Sequence, residues 1–152
     1  MIALILAAVL GQTPAGRAAM PPLTAKTNAD AGITRTIEKG DYSNVDDAKQ
    51  VLIRTDAEWA KLWTQHAGER PRPAVDFSKE MIVGVFMGSR PNAGFSTTIV
   101  STTVGNGALI VRYSEKMPAP RGVTAQVLTF PYHLVAIPKA AVTDVKFEKA
   151  EK

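Results

Sequence analysis

Few residues in this chain could do chemistry. There is no cysteine, which removes thiol catalysis, thiolate-bound zinc, iron–sulfur centres and disulfides together. Only two histidines occur, His66 and His133, so one chain cannot assemble a multi-histidine metal site. Carboxylates for acid–base work would have to come from Asp41, Asp46, Asp47, Asp76, Glu80 or Glu115. All of these sit in loop-like or strand-end stretches, where a solvated charge is the ordinary role. No P-loop, GxGxxG, HExxH or GxSxG pattern is present. A Ser–His–Asp arrangement need not show in linear order, but no serine stands in a nucleophile elbow. No catalytic residue, cofactor or metal ligand is therefore assigned. An enzyme reading would rest on His133 with a loop carboxylate, as a hydrolase.

The two histidines stand in different surroundings. His66 closes the stripe Trp59, Leu62, Trp63, His66, spaced i, i+3, i+4 and i+7 as on one helix face. Near a helix C-terminus it is expected to be a partly buried residue favoured by the dipole. His133 lies in "TFPYHLVAIPK", beside Tyr132 and just past Pro131. It reads either as a polar group at a recognition surface or as a core histidine satisfied by a carbonyl or a threonine. On a regular strand Tyr132 and His133 point to opposite faces and would not act as a pair.

The elements that must position these residues follow from pattern and punctuation. "TDAEWAKLWTQHAG" is the clearest: Thr55 and Glu58 form a capping box, and Gly68 stops the helix. "GITRTIEKG", with Ile33 and Ile37 in a strand ending at Gly40, and "QVLIR" read as strands before it. "MIVGVFMG", apolar at every position, reads as a central strand buried on both faces. Its Gly84 implies close approach of another segment, a helix tryptophan being the expected one. Met81 and Met87 read as core fillers. "FSTTIVSTTV" and "ALIVRYSE" flank Gly105-Asn106-Gly107, a strong hairpin signal. "TAQVLTF" and "YHLVAIP" read as one bent strand or two, broken by Pro131. "AVTDVKFEK" ends the chain as a strand. About seven strands and one helix, without regular strand–helix alternation, give an α+β class. The expected architecture is a mainly antiparallel sheet with the capped amphipathic helix packed on it.

Length and composition set the class around this. The chain has 152 residues, enough for one domain. With 45% hydrophobic and 21% charged residues it can build a core. The net charge of +4 is scattered, with no basic run and no interleaved stacking aromatics, so a nucleic-acid partner is not expected. "MIALILAAVL" has the length of a signal-peptide h-region and is too short to span a bilayer. Small residues at Gly16 and Ala18 allow cleavage before Ala19. The expected organisation is a signal peptide over 1–18, a flexible leader over 19–31 and one domain over 32–152. The product would be exported and soluble, periplasmic or extracellular. No stable membrane anchor is expected, because no cysteine follows the apolar run.

Three loops remain as presenters of function: 89–95, 116–122 and 130–133. All contain proline, and the first two also carry glycine and arginine. An arginine on a proline-bounded loop suits protein recognition, because less entropy is lost on binding. It suits plain turn formation equally.

"VLIRTDAEWAKLWTQH", "VDFSKEMIVGVFMGSRPNAGFSTTI" and "VTAQVLTFPYHLVAIPK" resemble the protease-complex subunit PrcB family, in its C-terminal domain. The similarity runs from about residue 50 to 147 and takes in the Trp59/Trp63 helix and the Asp76-Phe77 turn. It also takes in the Arg90-Pro91…Gly94-Phe95 loop, Gln126 and Tyr132-His133. The resemblance implies an accessory, non-enzymatic protein that supports a bacterial surface protease complex. This chain has no lipobox cysteine, and it carries Phe95 where tyrosine is usual, so a hydroxyl there is not essential. "RPNAGF" is also similar to the Asn-Pro-x-x-Gly-Tyr loop of chagasin-like cysteine-protease inhibitors, which present three loops to a protease cleft. The expected partner is another protein, a protease by implication. The residues expected to contact it are Arg90, Pro91, Asn92, Gly94, Phe95, Arg121, Gln126, Tyr132 and His133.

Overall fold

The computed structural model describes residues 32–151. The signal peptide and leader expected over 1–31 lie outside the described residues. Seven strands and one helix follow in the order β1 (Arg35–Gly40), β2 (Lys49–Ile53), α1 (Asp56–Ala67), β3 (Glu80–Phe86), β4 (Ser96–Gly105), β5 (Ala108–Lys116), β6 (Tyr132–Pro138) and β7 (Asp144–Lys149). They form two sheets rather than one: a four-stranded sheet ordered β1-β6-β3-β2 and a three-stranded sheet ordered β4-β5-β7. All pairings are antiparallel except β5 with β7, which is parallel.

The apolar run of β3 follows from its place between layers. Met81, Val83 and Val85 face the second sheet with Ile99, Leu109, Val111, Val135 and Ile137. Ile82 and Phe86 face α1 with Trp59, Leu62, Trp63, Tyr132 and Leu134. The two-residue period thus sends alternate side chains into two separate cores. The four-stranded sheet is covered by the helix on one face and by the smaller sheet on the other. Met81 and Met87 are both buried core residues.

Local chemistry fixes the ends. Thr55 Oγ1 accepts from the Glu58 N–H at 3.3 Å, and Glu58 Oε2 accepts from the Thr55 N–H at 3.2 Å. The β4–β5 turn puts Asn106 at φ 53° and Gly107 at φ 74°, the two positive values that a two-residue hairpin of this twist requires.

Two expectations are corrected. A Cβ on Gly84 would lie 2.7 Å from Leu134 Cδ2 and 2.9 Å from Val51 Cγ2. The close approach therefore comes from aliphatic side chains of the flanking strands, and no tryptophan is involved. Of "TAQVLTF" and "YHLVAIP", only the second is a strand; residues 117–131 form a long connection tied down by one bridge, Arg90 with Thr129. Pro131 lacks an N–H, and its carbonyl instead accepts from the Met87 N–H at 2.9 Å.

Candidate functional site: two joined loops and two buried histidines

The loop after β3 and the connection before β6 are zipped together through their backbones. Arg90 and Thr129 exchange hydrogen bonds of 2.7 and 2.9 Å, and the Ala93 N–H donates to Ala125 at 3.0 Å. Thr129 Oγ1 adds a bond to the Asn92 carbonyl at 3.0 Å. Gly94 has φ +101°, and a Cβ there would meet Pro118 and Thr124 at 3.1 and 3.2 Å. The backbone calls for glycine here, and the space left for a Cβ is tight. Loops 89–95 and 117–129 therefore form one surface, and Arg90, Pro91, Asn92, Gly94, Phe95 and Gln126 come together on it. Arg121 is exposed on the same connection.

The composition of this surface is unusual for solvent. Six large hydrophobic residues are exposed among the described residues, and four of them, Met117, Val123, Val127 and Leu128, lie in this one stretch. Clustered exposed apolar side chains mark contact sites more than scattered ones do. The Arg90 guanidinium stands 5.6 Å from the Phe95 ring centroid, a cation–π contact that needs the ring and no hydroxyl. Arg90 Nε and Asn92 Oδ1 are buried without a hydrogen-bond partner among the described residues.

Tyr132 and His133 are placed elsewhere. Both lie in β6 and are 4% exposed, so 130–133 is not a presented loop. Their side chains do take opposite faces: Tyr132 joins the helix-side core, while His133 reaches the second sheet. The Ile99 N–H donates to His133 Nδ1 at 2.8 Å, and Nε2 meets Thr36 Oγ1 at 3.0 Å. Because Nδ1 accepts, the proton of the neutral ring sits on Nε2 and is donated to threonine. Burial, with the charge of Lys39 adding to it, lowers the His133 pKa to about 4. Both ring nitrogens are spent on neutral groups, and the carboxylate partner that a hydrolase reading requires is not among them. His133 holds the two sheets together.

The polar cluster that linear reading missed surrounds His66. This histidine is 2% exposed, more buried than a helix-end residue favoured by the dipole would be. Its Nε2–H donates to Glu38 Oε2 at 2.8 Å, and the Ser43 hydroxyl donates to Nδ1 at 2.7 Å. Arg70 clamps Glu38 with bonds of 2.8 and 3.1 Å. Tyr132, Trp63 and Phe86 wall the ring at centroid distances of 4.3, 5.3 and 5.7 Å. Burial pushes the Glu38 carboxyl up, but hydrogen bonds from Arg70 and His66 outweigh it and hold it below the usual carboxylate range. Burial lowers His66, with Glu38 offsetting part of the effect. Burial and the Glu38 charge push the Tyr132 hydroxyl up to about 12.

The order hydroxyl–imidazole–carboxylate resembles a nucleophilic relay, and a cavity of about 470 Å³ adjoins it. Ser43, however, is 7% exposed and already accepts the Val45 N–H at 3.1 Å. The cluster pins the 41–48 loop and β1 to the end of the helix. One sequence signal was available, the i, i+4 spacing of His66 and Arg70; Glu38 and Ser43 arrive through tertiary structure alone.

Among the described residues no cluster of three or more His, Cys, Asp or Glu side chains could hold a metal ion. No described helix is long and apolar enough to cross a membrane.

No curated protein and no solved structure matches the chain. A family model does match, the one described as PrcB C-terminal, over residues 81–138. That span is shorter than the resemblance read from sequence over about residues 50 to 147, since it leaves out β2, the helix and β7. It contains β3 to β6 and both joined loops. Residues 81–138 are thus similar to the PrcB C-terminal family, and both joined loops lie within that stretch.

Proposed function

We propose that the chain is an exported, non-enzymatic protein-binding module that acts as an accessory or stabilising subunit of a protease complex. Its contact surface is the pair of joined loops, 89–95 and 117–129. The observation that carries this reading is the apolar cluster Met117, Val123, Val127 and Leu128, exposed on a connection pinned by backbone hydrogen bonds. A pinned loop loses little entropy on binding, and the apolar side chains supply the area to be buried. The family match over this region and the N-terminal apolar run support the protease-complex role and the export. Two loops, with Tyr132 and His133 buried, favour this reading over a three-loop protease inhibitor.

The test compares tagged wild-type chain with a V123S/L128S variant, both expressed in the native host and recovered from the exported fraction. The expected result is a partner retained by the wild type and lost by the variant, with equal melting temperatures. Substitutions at such exposed positions change stability by no more than about 0.5 kcal/mol. Identical recovery by the two proteins would overturn the loop surface.

A further inference from the structure

The sheets have four edges: β1 and β2 bound the larger one, β4 and β7 the smaller. An edge strand turns every second N–H and C=O away from its neighbour. Folded proteins blunt such edges with bulges and charges. Three of these edges are blunted. β1 breaks register between Thr36 and Glu38 and carries Arg35, Glu38 and Lys39. β4 breaks register between Ile99 and Ser101. β7 carries charges at alternate positions Asp144, Lys146 and Glu148, and ends on Lys149.

β2 has no bulge, and its one charged residue, Lys49, stands at its first position. It pairs with β3 over all five residues without a register shift, and after Lys49 it reads Gln50-Val51-Leu52-Ile53. A groove of about 320 Å³ runs between this strand and α1, with Val51, Ile53 and Leu62 as its apolar lining. Lys49, Lys61, Gln65 and Glu58 form the rim. Glu58 is committed to the helix start, its Oε2 accepting the N–H groups of Arg54 and Thr55 at 2.9 and 3.2 Å. Lys49 donates to the neutral Gln65 Oε1, and Lys61 is exposed. The rim thus sets two cations, Lys49 and Lys61, against the single carboxylate of Glu58, and its balance is positive.

We propose that the β2 edge is a second recognition site, which takes an extended acidic segment of another protein as an added strand. Its backbone would pair with the free N–H and C=O groups of β2. One apolar side chain would enter the groove, and carboxylates would meet Lys49 and Lys61. In this mode main-chain pairing supplies affinity and alternate side chains supply specificity. A second copy of the chain fits less well, since it would bring its own Lys49 and Lys61 to a rim that is already cationic. The site shares no residue with the loop surface and lies outside the family match.

The experiment titrates the ¹⁵N-labelled chain with the peptide Ac-Thr-Glu-Thr-Val-Thr-Glu-NH₂, whose valine and two glutamates share one strand face, as the groove and its lysines do. The expected result is shifted β2 amides with slowed hydrogen exchange at alternate residues. A peptide with alternate amides N-methylated should bind at least about ten-fold more weakly. K61E, an exposed helix change, should reverse the preference towards the Lys-for-Glu peptide. The proposal is overturned if β2 does not respond, if the N-methylated peptide binds equally, or if the shifts fall on 90–95 and 117–129. Protection of β2 that grows with protein concentration and needs no peptide would also overturn it, in favour of self-association.

Discussion

His66 and His133 are 2% and 4% exposed, and both stand within hydrogen-bond reach of β1, yet they are held by opposite chemistry. His66 is wired to a carboxylate that an arginine clamps from outside, inside a wall of aromatic rings. His133 is wired to a threonine hydroxyl and a backbone N–H, between two sheets of aliphatic residues. Burial lowers the pKa of both. Only at His66 does a neighbouring charge oppose it. Burial alone therefore does not say how a histidine answers to pH; the charge on its partner does.

The strongest way to break the contrast is to remove the wall around His66. Trp63 is 4% exposed, and its Nε1–H donates to the Arg70 carbonyl at 2.8 Å. Trp63→Ala should cost about 3–5 kcal/mol in urea denaturation, as core aromatic truncations do. A loss under 1 kcal/mol would mean the helix is not held by this face.

A second measurement isolates His133. Its folded pKa of about 4 lies below the unfolded value of about 6.5, so the unfolded chain takes up the proton first. Stability from keeping this ring neutral is fully present above pH ~6.5 and is lost as pH falls towards 4, by about 3 kcal/mol in total. Melting curves between pH 7 and 4 should show this slope in the wild type and a flatter one in His133→Gln. Parallel slopes would remove the inter-sheet role of the neutral ring.

The smallest effect is the sharpest discriminator. Glu38→Gln removes the charge that raises the His66 pKa, so NMR titration should place His66 lower still and leave His133 unmoved. Loss of the Arg70 clamp should cost about 1–3 kcal/mol. An unchanged His66 titration would show that Glu38 does not govern this ring.

Legibility in the sequence followed the range of the interaction. The helix, its cap and the Asn106-Gly107 hairpin rest on residues within a few positions of one another, and they are where the letters put them. Double burial of "MIVGVF" was readable from its lack of alternation. What covers each face was not readable, because sheet partition depends on contacts between distant strands. "TAQVLTF" has strand composition yet stays a connection, since pairing there stops after a single bridge to Arg90. Arg90, Pro91, Asn92, Gly94 and Phe95 stand out in the sequence through turn chemistry and resemblance, and Gln126 through resemblance alone. Tyr132 and His133 were drawn into the same set by proximity to Pro131, and the period-2 geometry of β6 buried them instead. The Glu38–His66–Arg70 cluster left almost no trace, because its members lie 28 and 32 positions apart.

The parallel seating of β7 on β5 has a consequence for how the molecule comes into being. Leu109, Val111 and Tyr113 of β5 lie opposite Val145, Phe147 and Lys149, residues close to the end of the described chain. On a ribosome, β4 and β5 can close into their hairpin early, but one flank of β5 then waits unpaired until β7 emerges. During that interval the smaller sheet is a two-stranded ribbon, and β7 completes it.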